Sequence, residues 1–320
     1  MIKKGIFILF ILLFQTGCNF DNETRLLNQV EAMLKLPESE IDIARAKLTI
    51  DKIINPSVDV DKYLKKIDEL VYKASRIKGH RIYKLHAFLY EKGPWNGYEI
   101  YRYDYENVLE KSSKSSMLTY YIDTKRGNCV SMPILYYVMA KNFGIQTELA
   151  TVPRHLIAQT KMGNEWWNIE TTHLGLTYED EMYQKDFLMS KKAIKDGVYL
   201  TPVSKKKIII IMMEQLFLFY EQNKKFELAL HVNDLSQEYF PEHFENFANR
   251  AGIYRSMALI ELGRIGCNVE PTELQRKSLN SLLIQVKRNL QKARSLGHNP
   301  WPKKYTETYL KESIARHEQS

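Results

Sequence analysis

Residues 126–143, RGNCVSMPILYYVMAKNF, and the runs after them, QTELATV (146–152), HLIAQT (155–160) and WWNIET (166–171), decide the fold. Gly127-Asn128 reads as a turn. Beyond it Met132, Leu135, Tyr136, Met139 and Phe143 recur at the spacing of one buried helix face, and Gly144 ends the helix. Pro133 is compatible only with a helix start, which places Cys129 in the first turn. The three runs that follow are β-rich and joined by connections too short for a crossover, so they pair antiparallel. A helix followed by an antiparallel sheet is an α+β arrangement.

Chemistry can gather at the start of that helix. A thiol attacks as thiolate, favoured by a helix N-terminus and by a neighbouring imidazolium. Cys129 has the first, and His155, heading a strand, offers the second. The unpaired N–H groups of a first turn also suit an oxyanion. Glu170 lies on the next strand, and a loop over 161–164 sets it directly opposite His155, about 5 Å apart at Cβ. Asn168 shares the face of Glu170 and is the fallback orienting residue, since one step of register would spoil the pairing. Against this stand plainer readings: a buried packing cysteine, a satisfied strand histidine and a solvated glutamate. A zinc site of Cys129, His155 and His173 lacks any C-x-x-C or H-x-x-x-H pair. No cofactor is expected.

The first residues have export grammar. Met1–Lys4 is positive, Gly5–Phe14 is apolar, and Thr16-Gly17-Cys18 follows. The apolar run is too short for a membrane-spanning helix, which needs about 20 residues. Small residues before a cysteine resemble a lipobox, although Gln15 departs from the usual aliphatic residue. Residues 1–17 are thus expected to be a lipoprotein signal peptide, with Cys18 lipidated and residues 18–40 a tether, its polar stretch from Asp21 to Glu40 part helix. The body would lie in the bacterial cell envelope, held to a membrane outside the cytoplasm; an ordinary cleaved signal is the rival. Three cysteines, Cys18, Cys129 and Cys267, make a disulfide framework unexpected. Removing residues 1–17 takes away Lys3 and Lys4 and lowers the net charge from +8 to +6, weak grounds for nucleic-acid binding.

Around the core the chain reads as helical. Ile41–Ile54 and Asp61–Ile77 have helical apolar spacing on either side of Asn55-Pro56, and 41–204 is the expected extent of the catalytic domain with its helical lead-in. From 205 to 320 the chain stays helical. Tyr220, Phe226, Ala229 and Pro241 fall where a tetratricopeptide repeat expects two aromatics, a small residue and a closing proline, and Tyr254 lies 34 residues after Tyr220. Gly263–Pro271 reads as an insertion before a last helix.

Asn128-Cys129-Val130-Ser131 before an apolar helix, His155 heading a strand and Asn168-Ile169-Glu170-Thr171 resemble the cysteine, histidine and acidic motifs of the transglutaminase-like (papain-type cysteine) superfamily. Ile41–Leu70 looks like the lead-in of the SirB-type bacterial proteins, which join such a core to tetratricopeptide repeats. The resemblance covers roughly residues 40–295. It implies a papain-like core acting on amide or ester bonds through Cys129, His155 and Glu170, with Glu where the wider superfamily has mostly Asp. Many SirB-type members lack the cysteine, so a non-catalytic envelope scaffold is the rival. Either reading expects a protein partner on the C-terminal helices; oligomeric state is not readable.

Overall fold

The computed structural model describes residues 22–107, 114–187, 189, 195, 197–266 and 269–296. The expected signal segment, Cys18 and Cys267 lie outside them. Among the described residues no helix is long and apolar enough to cross a membrane.

The chain divides into two compact units, one of residues 1–104 and 114–212, the other of 105–113 and 213–320. The division after residue 212 falls inside the helix Lys205–Gln222. Within the expected tether, residues 22–35 form the helical part, helix α1, with Leu26, Leu27, Val30 and Leu34 buried. Their spacing makes one apolar stripe, and a stripe of that kind docks.

In the first unit, α2 (Ile43–Ile54) and α3 (Val60–Ser75) are capped by Asp42 and Asp59, each accepting from an N–H three residues on. Asn55 ends α2 because the residue before a proline avoids helical backbone. Helix α4 (Arg81–Tyr90) follows, then the two-residue strand β1 (Arg102–Tyr103), α5 (Leu118–Thr124) and β2 (Arg126–Gly127), which pairs parallel with β1. Sequence periodicity gives no hint of β1, β2 or α5. Inside α2, Lys47 and Asp51 form a fully buried ion pair, and Asp51 also accepts the Thr119 N–H at 2.9 Å. That hydrogen bond ties α2 to α5, the helix that leads through β2 to Cys129.

Helix α6 (Ser131–Asn142) is buried from Ser131 through Ala140 and packs against α2, α3, α4, α5 and the sheet. A helix apolar on all sides belongs at the centre of a core. The sheet runs in order β3 (Thr147–Val152), β4 (His155–Met162), β5 (Glu165–Glu170), β6 (Leu176–Tyr178), all antiparallel. One face meets α6, where Tyr136 Oη lies 3.2 Å from Thr160 Oγ1. The other carries Ala150, Val152 and Ile157, packed with Leu200 and with Tyr183 of α7 (Asp180–Asp186).

The second unit holds the end of α8 (Lys205–Gln222), then α9 (Phe226–Tyr239), α10 (Phe244–Ile265) and α11 (Glu273–Ser295). Tyr220, Ala229, Phe247 and Ala251 are buried, as core positions of any helical stack would be. Asn233 of α9 donates to Asn246 O at 2.8 Å and accepts from Arg250 Nε at 2.8 Å, joining α9 to α10. The expected insertion at 263 is shorter than read, because α10 continues through Gly263 to Ile265.

Candidate active site

Cys129 stands one turn-residue earlier than expected. Helix α6 starts at Ser131 with Val130 as its cap, and Cys129 lies in the turn ahead of it. Asn128 builds that turn. Its Oδ1 accepts from Val130 N at 2.9 Å and Ser131 N at 3.3 Å, while its Nδ2 donates to Ser116 Oγ at 2.8 Å. Ser131 Oγ closes the knot by donating to Ser115 O at 2.7 Å. The side-chain cap takes up the N–H groups after Cys129, and the Cys129 N–H itself is not among those Asn128 holds. Gly127 is required here because a Cβ would come within 2.6 Å of both Ser131 Oγ and the Tyr121 ring.

His155 opens β4 after the turn Pro153-Arg154, where Arg154 holds a left-handed φ of 58°. Proline followed by positive φ is the geometry of a type II turn, normally served by glycine. The expected four-residue loop between β4 and β5 is a two-residue turn at Gly163-Asn164, with Met162 paired to Glu165 and Ala158 to Ile169. Continuing that register puts Glu170 opposite Ile157, two places from His155. A slip of two keeps the face and makes the pair diagonal, about 7–8 Å between backbones. The glutamate arm spans that gap: Nε2 of His155 is 2.8 Å from Glu170 Oε2. The Cys129 thiol is the other group that acts on the same imidazole, and with Nε2 turned to Glu170, Nδ1 is the nitrogen left for it.

Both side chains of the His155–Glu170 pair are nearly dry, 8% and 6% exposed. Burial pulls the imidazole pKa down, but the Glu170 charge, the Cys129 thiol and the hydrogen bond to Glu170 outweigh it and raise it to about 10. Burial likewise pushes the Glu170 carboxyl up, and His155 together with Thr172 brings it below its ordinary value. Glu170 is held on every side. Oε1 accepts from Thr172 N at 3.0 Å and Thr172 Oγ1 at 2.5 Å, and Oε2 accepts from Tyr183 Oη at 3.0 Å besides His155. Phe187 stacks on the His155 ring, 5.4 Å between centroids at 22°.

His155 and Glu170 are thus joined directly, with Cys129 near enough to act on the His155 ring. Asn168, the fallback, is not joined to them: its Oδ1 accepts from Gln159 at 2.8 Å and its Nδ2 donates to Tyr178 O and Asp180 Oδ1. His173 binds Tyr178 Oη at 2.5 Å instead of joining a metal site. Among the described residues no group of three His, Cys, Asp or Glu is placed to hold a metal ion. Sequence reading missed Thr172, Tyr183, Phe187 and Asn128 as supports. Thr172 carried a signal, since a threonine two places after an acid readily bonds back to it; Tyr183 and Phe187 carried none, being thirteen and seventeen residues beyond Glu170.

No curated protein and no solved structure matches the chain. The family model of the transglutaminase-like superfamily matches residues 59–214, from the Asp59 cap of α3 into α8. Residues 59–214, which include the turn, strands and helices just described, are therefore a transglutaminase-like superfamily domain.

Proposed function

We propose that the protein is a cysteine enzyme that hydrolyses or transfers acyl groups at amide bonds, with Cys129 as nucleophile, His155 as base and acid, and Glu170 as the residue orienting His155. The observation that carries this reading is the buried His155–Glu170 pair, 2.8 Å apart, with the Cys129 thiol acting on the same ring and the imidazole pKa raised to about 10. A positive ring at neutral pH is the partner a thiolate needs. The sulfur attacks the amide carbonyl carbon, and the Cys129 N–H steadies the oxyanion. The C–N bond then breaks as His155 gives its proton to the departing amine. Water or a second amine attacks the thioester, leaves its proton on His155 and releases the sulfur.

The test is labelling of the full chain by an electrophilic thiol probe at pH 6, with Cys129→Ala identifying the site. Labelling of native Cys129 is expected to exceed that of the unfolded chain and to fall at least about tenfold in His155→Ala, where the charged partner is gone. Labelling no faster than in the unfolded chain would leave a non-catalytic scaffold as the better reading.

Two further proposals concern the flanks. Export and anchoring at Cys18 rest on the positive, apolar, Thr-Gly-Cys order of the first residues. Mass spectrometry of the membrane fraction is expected to find a diacylated or triacylated Cys18 peptide, since one chain anchors only reversibly; a soluble product cleaved elsewhere sinks it. The C-terminal helices are proposed as a tetratricopeptide-like surface for a protein partner, supported by exposed Leu259 and Leu262 on α10 and Leu283 and Ile284 on α11.

A further inference from the structure

Helix α6 carries Cys129 at one end, and its other end opens into a different cavity. The cavity measures about 540 Å³ and is lined by the start of α4 (Gly79–Ile82 and Lys84), by Gly144–Gln146 after α6, and by Lys161 and Gly163 of the β4–β5 hairpin. That volume is in the range of small-molecule sites. A helix of twelve residues is about 18 Å long, so the cavity is remote from the thiol.

Its lining is one-signed. Arg81, Lys84 and Lys161 face it, and no aspartate or glutamate does. Lys84 Nζ is engaged with Ser75 O at 2.8 Å. The side chains of Arg81 and Lys161 make no hydrogen bond or ion pair among the described residues; Lys161 bonds only through its backbone, its N–H donating to Gln146 O at 2.9 Å. Some cations of the same unit are paired, with Arg45 on Asp61, Lys66 on Asp123 and Lys141 on Glu148. Arg81 is exposed and Lys161 half-buried on the same cavity wall, and an anion entering there meets both positive charges.

Hydrogen-bond donors are arranged for the same guest. His80 Nδ1 accepts from Tyr83 N at 3.2 Å, which leaves the ring proton on Nε2 as a donor. The N–H groups of Arg81 and Ile82 precede Tyr83 in the same first turn, at the positive end of the α4 dipole. Glycines keep the walls thin. Gly144, at φ 65°, lies so close to Arg81 that a Cβ would stand 3.1 Å from Nη1. A guanidinium that meets phosphate with two parallel N–H bonds, an ammonium across from it and a helix start make a phosphate site.

We propose that this cavity binds a phosphate-bearing ligand, its phosphate held between Arg81, Lys161 and the first turn of α4. The ligand is a soluble phosphate ester or the headgroup of an anionic phospholipid, and the two arms of one experiment separate these. In the first arm, calorimetry at low salt measures pyrophosphate binding to the full chain. In the second, co-sedimentation compares phosphatidylcholine vesicles with and without phosphatidylglycerol. Arg81→Gln with Lys161→Gln is the test pair, and Lys62→Gln with Lys65→Gln, two exposed positions on α3, removes the same charge elsewhere. Thermal melts establish that each variant is folded.

One-to-one pyrophosphate binding that weakens about a hundredfold in the test pair, roughly tenfold for each cation removed, supports the site and a soluble ligand. Phosphatidylglycerol-dependent sedimentation abolished in the test pair alone supports the site and a headgroup. No binding in either arm, or equal weakening in the Lys62 and Lys65 variant, overturns it. Cys129 labelling is expected to be unchanged in the test pair, so this proposal and that of the thiol site stand or fall separately.

Discussion

Glu170 is the residue on which the candidate site turns, because all four groups around its carboxylate are donors. Glu170→Gln puts an amide N–H against one of them, and a buried donor facing a donor is expected to cost about 1–3 kcal/mol of stability, read by chemical denaturation. Cys129→Ser is expected to abolish turnover with folding retained, and His155→Ala to lower kcat by roughly 10²–10⁴, the usual worth of general acid–base catalysis. An amidase assay on the purified chain orders the three; equal activity in Cys129→Ser and wild type would remove the thiol from the chemistry.

The same pair sets a pH signature. His155 has a folded pKa above its ordinary 6.5, so its contribution to stability is complete below about 6.5 and is lost as pH rises toward about 10. Glu170 is shifted the other way, so its share is present above 4.5 and lost as pH falls below that. The Tm gap between wild type and Glu170→Gln is therefore expected to be widest near pH 4.5–6.5 and to shrink toward pH 10. A gap that is flat with pH would mean the two groups are not an ion pair in solution.

At the scale of elements, two glycines make opposite predictions. Gly127 in β2 has no room for a Cβ, which would strike Tyr121 of α5 and Ser131 of α6 at 2.6 Å. Gly127→Ala is expected to destabilise by about 1–3 kcal/mol as an overpacking change and to slow Cys129 labelling, because it pries α5 from the nucleophile turn. Gly252 sits inside α10 with nothing within 4 Å of a Cβ. Gly252→Ala is expected to stabilise by about 0.5–1 kcal/mol through helix propensity. Thermal melts of the two variants check both signs, and like signs would mean that backbone propensity, not packing, governs both.

For the whole molecule, the division inside α8 has a practical result. Ile208, Ile209, Ile210 and Met212 are buried, and Lys205 donates from N to Glu38 Oε2 and from Nζ to Ile41 O, both at 2.7 Å. The start of α8 therefore belongs to the first unit. A chain ending at Ser204 is expected to lose Cys129 labelling and cooperative melting, since burying each isoleucine is worth about 1.5–3 kcal/mol. A chain ending at Gln222 is expected to keep both. Equal behaviour of the two truncations would show that the first turns of α8 are dispensable to the first unit.

How much of this was legible depends on how local each determinant is. The nucleophile turn, the central helix and the strands bearing His155 and Glu170 are written in turn residues and apolar period, which act over a few neighbours and survive in one dimension. A period of two also protected the face assignment, so a register misjudged by two residues still kept His155 and Glu170 on one side of the sheet. Other features depend on residues distant in sequence. Parallel pairing of β1 with β2 joins segments more than twenty residues apart, Asp51 reaches Thr119 across 68 positions, and Tyr183 arrives at Glu170 from a helix with no strong period of its own. The sequence by itself determined which groups could do chemistry and in what order of elements. Only the tertiary structure decided that Glu170 and not Asn168 meets His155, because that choice rests on a two-residue hairpin and on donors that long-range packing delivers.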